Sequence, residues 1–279
     1  MALLAVIGYP ISHSASPVMH NAALRALGLP NRYIAIESHP ETLQKTLKTL
    51  HKLGFKGLNI TIPHKEAAAR EAVKLSEEAE AIGAVNTLQR LDDGWVGYNT
   101  DVEGVERCLS PHVEGRLNRV LVLGAGGAAA AALYALWRMG VEKVIVANRS
   151  RERAEVLAKR FRDKVGLNVR VIGLEEASRE ARSVEIVINA TPLGITYHES
   201  MIGPEDLTKH HIVLDMVYSN LPTPLQRAAI STDALYIDGV KMLVEQGARA
   251  FKIFHGVEPD RALMERAVRS WLARRGVPG

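Results

Sequence analysis

Three short stretches in the first hundred residues collect side chains suited to acid–base chemistry. GYPISHSASPVMHN (8–21) carries Ser14 and Ser16, and NITIPHK (59–65) ends on Lys65. GAVNT and GYNTD (83–87 and 97–101) bring Asn86 and Asp101. A lysine can hand a proton to an oxygen that is gaining negative charge, and a carboxylate beside it holds it in place. Lys65 follows an apolar strand pattern and Pro63, which puts it in the first turn of a helix. The helix dipole disfavours a cation there and a neighbouring carboxylate favours one, so Asp101 is the natural partner. Each residue also has a plain structural alternative: a solvated lysine for Lys65, an N-cap for Asp101 and Ser16, a turn residue for Asn86. No HExxH, no CxxC pair and no zinc-spaced histidines with carboxylates occur, so no metal is expected. His13 and His64 flank the motifs, and the sequence leaves their roles open.

A second kind of chemistry is written at GAGGAA (124–129), which puts Gly124, Gly126 and Ala129 at the positions of a G-x-G-x-x-G/A turn. The turn follows a strand pattern and opens an alanine-rich helix, the context in which this motif binds a dinucleotide. Gly124 permits the tight turn, and Gly126 lets backbone amides approach a pyrophosphate. The helix N-terminus then adds partial positive charge. A plain tight turn in an α/β domain is the alternative. The next strand pattern ends in Asn148 rather than a carboxylate, and Arg149, Arg151 and Arg153 follow. Asn148 does not repel a 2′-phosphate and guanidinium groups bind one well, which favours NADP over NAD. Arg151 has the alternative of a solvated helix start, with its neighbour Glu152 pairing surface lysines.

These residues need elements to position them. LLAVIG (3–8), RYIAIE (32–37) and KGLNITI (56–62) read as strands, with helices over 17–27, 41–53 and 64–74. The alternation implies a mainly parallel sheet covered by helices. Residues 84–98 read as a hairpin turning at Asp93-Gly94, and a helix begins just after Asp101. The pattern then restarts with five Val- and Ile-rich runs at 119–124, 143–148, 169–173, 185–189 and 211–216. Their spacing suits a second, doubly wound α/β unit. Helices over about 240–254 and 260–274 end the chain. The fold class expected is therefore α/β with two domains, an α/β substrate domain and a Rossmann-type doubly wound unit.

Composition narrows the classes. The 279 residues are 47% hydrophobic and 24% charged, an ordinary globular balance that rules out wholesale disorder. Net charge is +4, a mild excess spread along the chain rather than gathered in a dense basic face, so nucleic acid is not an expected partner. Residues 1–24 carry no charge but lack a basic leader and are broken by prolines and histidines, which argues against a signal peptide. Residues 120–137 are also uncharged, but their glycines favour strand, turn and helix over a membrane span. The single cysteine, Cys108, suits a core position and a reducing cytoplasm.

Read together, the motifs resemble the shikimate dehydrogenase family over nearly the whole chain. The resemblance rests on HSASP (13–17), NITIPHK (59–65), GAVNT (83–87), NTD (99–101), GAGGAA (124–129) and NRS (148–150). It continues through NATPLG (189–194), DMVYSNLPTPL (215–225) and DGVKMLVEQGARAF (238–251). It implies a substrate-binding domain from 1–101 completed by helices in 240–279, and an NADP-binding Rossmann domain from 102–239. It implies an oxidoreductase that reduces 3-dehydroshikimate to shikimate with NADPH on the route to aromatic amino acids, cytoplasmic, as a monomer or homodimer. By resemblance, Lys65 and Asp101 are the catalytic pair, and Ser14 and Ser16 hold the substrate carboxylate. Thr61, Asn86, Tyr218 and Gln246 fix the ring hydroxyls. The helix pattern supports Gln246 on its own account, since it shares an apolar face with Leu243, Ala250 and Ile253 and needs a partner there. Gly124, Gly126, Gly127 and Ala128 form the phosphate turn, and Asn148, Arg149, Ser150 and Arg153 clamp the 2′-phosphate, Ser150 replacing a common threonine. Thr191, Val217, Gly239 and Met242 line the nicotinamide. Two alternatives stay open: a quinate/shikimate dehydrogenase using NAD(P), and a non-catalytic cofactor-binding regulator. The paired Lys65 and Asp101 argue against the second, because a sensor has no need of a proton donor.

Overall fold

The apolar run at the start forms β1 (Leu3–Gly8), buried along most of its length, in a computed structural model that describes residues 2–113, 119–193 and 200–275. The chain continues through α1 (Ser16–Ala26), β2 (Arg32–Glu37), α2 (Leu43–Lys52), β3 (Gly57–Ile60) and α3 (Lys65–Glu71). Next come β4 (Lys74–Leu75), α4 (Glu77–Ile82), β5 (Thr87–Arg90), β6 (Trp95–Tyr98) and α5 (Asp101–Leu109). Leu43, Leu47 and Leu50 face the core from α2, as their spacing predicts. The helix expected over 17–27 begins one residue early, so Ser16 lies inside α1 rather than capping it, and no side chain caps that end. The helix expected over 64–74 is shorter, and β4 and α4 follow it.

These strands form a six-stranded sheet in the order β2-β1-β3-β5-β6-β4. β1 pairs parallel with β2 and β3, and β4 with β6, while β5 runs antiparallel to both β3 and β6. The register matters for function. Thr87 at the start of β5 pairs with Asn59 near the end of β3 and with Tyr98 at the end of β6. The segments 61–65, 83–86 and 99–101 therefore emerge at one sheet edge, the edge where β1 also ends.

The second sheet is built from β7 (Arg119–Leu123), β8 (Lys143–Asn148), β9 (Val169–Gly173), β10 (Ile186–Asn189), β11 (Ile212–Asp215) and β12 (Leu235–Ile237). Its order is β12-β11-β10-β7-β8-β9 and every pairing is parallel. That is the doubly wound order, with its reversal point between β7 and β10. The helices are α6 (Gly127–Arg138), α7 (Arg151–Val165), α8 (Ala177–Ala181) and α9 (Pro224–Ser231), followed by α10 (Gly239–His255) and α11 (Arg261–Arg275). The five Val- and Ile-rich runs are β7 to β11. The sixth strand, β12, is an addition to the sequence reading.

The chain divides into two compact units. One comprises the described residues of Met1–Gly104 and Leu243–Val277, the other those of Val105–Met242. The chain leaves the first unit within α5 and returns to it within α10. Each unit has its own apolar core, one around Ile7, Leu47, Leu58 and Trp95, the other around Leu121, Ile145, Val187 and Val213. Among the described residues, no helix is long and apolar enough to cross a membrane.

Candidate active site

Lys65 is the first residue of α3, directly behind the loop that ends β3. Its Nζ donates to Asp101 Oδ2 at 2.5 Å, and both side chains are largely withdrawn from solvent. Asp101 opens α5, and its other oxygen, Oδ1, accepts from Asn86 Nδ2 at 2.8 Å. Asn86 cannot turn its amide round. Its Oδ1 accepts the backbone N–H of Thr100 at 2.8 Å, a group that can only donate, so Nδ2 must face Asp101. Asn86 Nδ2 also lies 3.3 Å from Gln246 Oε1, while Gln246 Nε2 donates to the Leu243 carbonyl. Four residues singled out from the sequence, Lys65, Asp101, Asn86 and Gln246, thus form one hydrogen-bonded cluster. The partners that Gln246 required are Asn86, Thr100, whose Oγ1 donates to Gln246 Oε1 at 3.4 Å, and the Leu243 carbonyl.

Behind the cluster runs a buried polar chain. Tyr33 Oη donates to Asn59 Oδ1 at 2.6 Å, and Asn59 Nδ2 donates to Thr87 Oγ1 at 3.0 Å. Thr87 Oγ1 donates in turn to Asn86 Oδ1. Tyr33, Asn59, Thr87 and Thr100 are all buried, and the motifs alone assign none of them a role. The signal was present at Asn59, an amide inside an otherwise apolar strand, which has to find partners.

Around the cluster, Thr61 follows β3 and donates its backbone N–H to the Ile7 carbonyl at 2.9 Å. A Cβ on Gly8 would stand 2.6 Å from the Thr61 methyl, so glycine there lets the first two motifs touch. Ser14 Oγ accepts the backbone N–H of Ser16 at 3.3 Å, pairing the two serines at the start of α1. His64 is buried, and its Nε2 donates to the Ser38 carbonyl at 2.7 Å. Burial pushes its pKa down, and the ring ties the loop after β3 to that after β2. His13 is exposed. Tyr218 belongs to the second unit, so the contacts of the first unit do not gather it with the other ring-binding candidates.

In the second unit the glycine turn sits at the carboxyl end of β7. Gly124 has φ +107°, and a Cβ there would stand 3.0 Å from the Ala190 carbonyl oxygen and 3.1 Å from the Thr191 methyl. Gly126 is different: a Cβ on it would meet nothing within 4 Å. Its bareness serves no protein contact, as expected where a ligand's phosphates approach the backbone. Gly126 is also the N-cap of α6, and no side chain caps that end. Gly127 and Ala128 stand in its first turn, whose amides point toward whatever the turn cradles. These residues fit a dinucleotide pyrophosphate.

One strand over, Asn148 ends β8, and its Nδ2 donates to the Ser150 carbonyl at 2.7 Å. Ser150 caps α7 by accepting the Arg153 N–H at 3.3 Å, and its hydroxyl donates to Glu152. Glu152 thus takes Ser150 as partner rather than a surface lysine, and Arg151 reaches Glu155 at 4.0 Å. Arg149 and Arg153 are exposed beside this helix start. On the other side, Asn189 ends β10 and Asp215 ends β11. Asn189 Oδ1 accepts from the Thr191 backbone and hydroxyl at 3.1 and 2.6 Å. A Cβ on Gly239 would stand 2.2 Å from the Val217 carbonyl oxygen, so a bare residue is required where these segments pass. Val217 and Met242 are buried. Gly194, the last residue of the NATPLG motif, and residues 276–279 of the expected C-terminal segment lie outside the described residues. Among the described residues, no group of three or more His, Cys, Asp or Glu side chains could hold a metal ion.

A doubly wound sheet with a bare phosphate turn, together with a lysine held by a carboxylate, defines a nicotinamide-dependent oxidoreductase. Comparison with known proteins narrows this class. Family profiles match residues 6–88 (shikimate dehydrogenase substrate binding domain), 110–211 (shikimate / quinate 5-dehydrogenase) and 239–269 (shikimate 5′-dehydrogenase C-terminal domain). The shikimate dehydrogenase (NADP(+)) of Pyrobaculum aerophilum is 44% identical over 272 residues, covering 96% of this chain and 98% of its own. A crystal structure of a shikimate dehydrogenase in complex with NADP+ superposes with a TM-score of 0.91 at 36% identity, covering 98% of this chain and 96% of its own. The shikimate 5-dehydrogenase of Thermus thermophilus, solved with NADP(H) and shikimate, gives 0.86 at 38% identity, covering 97% and 99%. The chain belongs to the shikimate dehydrogenase family.

Proposed function

We propose that this protein is an NADP-dependent shikimate dehydrogenase that interconverts 3-dehydroshikimate and shikimate. The observation that carries the reading is the buried Lys65–Asp101 pair, oriented by Asn86, in a chain that matches the family over residues 6–88, 110–211 and 239–269. In the direction of reduction, the residues that fit the dinucleotide would hold NADPH, which when bound would supply the hydride for the C3 carbonyl carbon. Lys65 donates a proton from Nζ to the C3 oxygen as that oxygen gains negative charge. Asp101 keeps Nζ in place, and Asn86 keeps the carboxylate from rotating. In the reverse direction Lys65 takes the proton back.

Ser14 and Ser16 hold the substrate carboxylate at the start of α1, a helix end without a side-chain cap, where anions are favoured. Thr61, Asn86, Gln246 and Tyr218 fix the ring hydroxyls. Residues 1–101 with 240–279 form the substrate domain and 102–239 the NADP domain. Gly124, Gly126, Gly127 and Ala128 cradle the pyrophosphate, while Asn148, Arg149, Ser150 and Arg153 read the 2′-phosphate. Thr191, Val217, Gly239 and Met242 line the nicotinamide. The enzyme works in the cytoplasm, as a monomer or homodimer.

The test is absorbance at 340 nm with shikimate or quinate crossed with NADP+ or NAD+. The reading requires the highest kcat/KM for shikimate with NADP+. A higher value for quinate would reassign the substrate, and no turnover with any pair would leave a cofactor-binding regulator.

A further inference from the structure

Asp215 has no role in the chemistry proposed above, yet it is the fully buried carboxylate that ends β11. Its Oδ1 accepts from Asn189 Nδ2 at 2.9 Å and from the Val217 backbone N–H at 3.2 Å. Its Oδ2 accepts from the hydroxyls of Thr223 and Tyr236, both at 3.0 Å. The four donors come from four places: the end of β10, the segment after β11, the N-cap of α9, and β12. Burial pushes the carboxyl up, the four hydrogen bonds pull it back, and among the described residues no cation acts on it. A parallel sheet gains nothing from such a group, because an apolar residue would fill the space without a desolvation cost.

What the carboxylate does is fix direction. With Asn189 Nδ2 turned toward Asp215, Asn189 Oδ1 must face the other way, where it accepts both the N–H and the hydroxyl of Thr191. The Val217 N–H is held by the same carboxylate, and the backbone at Val217–Tyr218 presses on Gly239. Thr191 lies against Gly124 of the phosphate turn. One carboxylate therefore sets the loops after β10 and β11 together. The helix start at 148–153 rests on separate bonds, Asn148 to Ser150 and Arg153 to Ser150, which do not include Asp215.

We infer that Asp215 is a positioning residue for the nicotinamide half of the cofactor and not for its adenosine 2′-phosphate half. The inference rests on the NADP reading above. The experiment separates the two halves with two ligands, NADP+ and 2′,5′-ADP, which lacks the nicotinamide and its ribose. Both are titrated calorimetrically into the full-length protein and into Asp215→Asn, which keeps the shape but sets an N–H against groups that donate. Asp215→Asn is expected to bind 2′,5′-ADP within about twofold of the parent and NADP+ about tenfold or more weakly, a change of about 1.4 kcal/mol. Asn189→Ala, which cuts the path from Asp215 to Thr191, is expected to show the same one-sided loss, and it carries the test if Asp215→Asn does not fold. Parallel losses for both ligands would make Asp215 a support of the unit as a whole and overturn the inference. Unchanged NADP+ affinity would overturn it too. If the parent protein binds neither ligand, the NADP reading fails first and this inference with it.

Discussion

Lys65 and Asp101 act as a unit, and the way they are held sets what their removal does. Lys65→Ala leaves Asp101 and Asn86 without the proton donor, so kcat falls by about 10²–10⁴ while KM for shikimate changes much less. Stopped-flow absorbance at 340 nm on a folded, saturated variant checks this; a near-normal kcat would move the proton to another group. Asp101→Asn keeps the shape and lowers kcat as well, and the double variant loses less than the product of the two single losses. Arg149→Ala belongs to the same scale. It raises KM for NADP+ by about tenfold and leaves KM for NAD+ nearly unchanged, since a charge-assisted contact to phosphate contributes about 1.5–3 kcal/mol. Equal losses with both cofactors would show that Arg149 does not read the phosphate. Lys65, Asp101, Arg149 and Arg153 were legible in the sequence because charge and motif coincide there. Asn59 left a partial sign, an amide in an apolar strand, but Tyr33, Thr87 and Thr100 left none, because a polar residue bonded inside a strand or turn looks like any other until register places its partner opposite. The same holds for Asn189 and Asp215, polar ends of apolar runs whose meaning lies in their being on adjacent strands.

Strands and helices show a parallel split. The buried strands β1, β7, β8, β10 and β11 were legible as dense apolar runs, and α2 as leucines at helical spacing. Elements too short to show a period were not: β4 has 2 residues, β12 has 3 and α4 has 6. They form because neighbouring strands and the apolar core accept them, a tertiary cause with no local sign. Gly57 in β3 illustrates how an element depends on a distant one. A Cβ there would stand 2.3 Å from the ring of Phe254 in α10, a side chain that is itself fully buried. Gly57→Ala is therefore expected to destabilise the first unit by about 1–3 kcal/mol through overpacking. Chemical denaturation measures this, and Phe254→Leu in the same background should recover part of the loss. No recovery would place the strain elsewhere.

At the scale of the whole molecule, stability should follow pH through a buried histidine. His20 stacks on Tyr33 at 4.2 Å between ring centres, and burial lowers its pKa to about 3. The folded state thus keeps His20 neutral where the unfolded chain would protonate it below about 6.5, so stability is full above that pH and drains away as pH falls toward 3. Between pH 7 and pH 5 the loss amounts to about 2 kcal/mol, and His255, lowered to about 4, acts in the same direction. In His20→Phe the fall in denaturation midpoint over that interval should be visibly smaller; an equal fall would assign the sensitivity to other groups. The path of the chain has a consequence for its birth. Synthesis runs from residue 1 upward, so the contiguous second unit is fully written once Met242 has been added. The first unit, begun earlier, then still lacks most of α10 and all of α11. Phe254, Met264 and Val268 fill its interior, and α11 packs on α1. On the ribosome the half started first is finished last. Until then its waiting apolar surface is the part of the nascent protein that a chaperone has reason to hold.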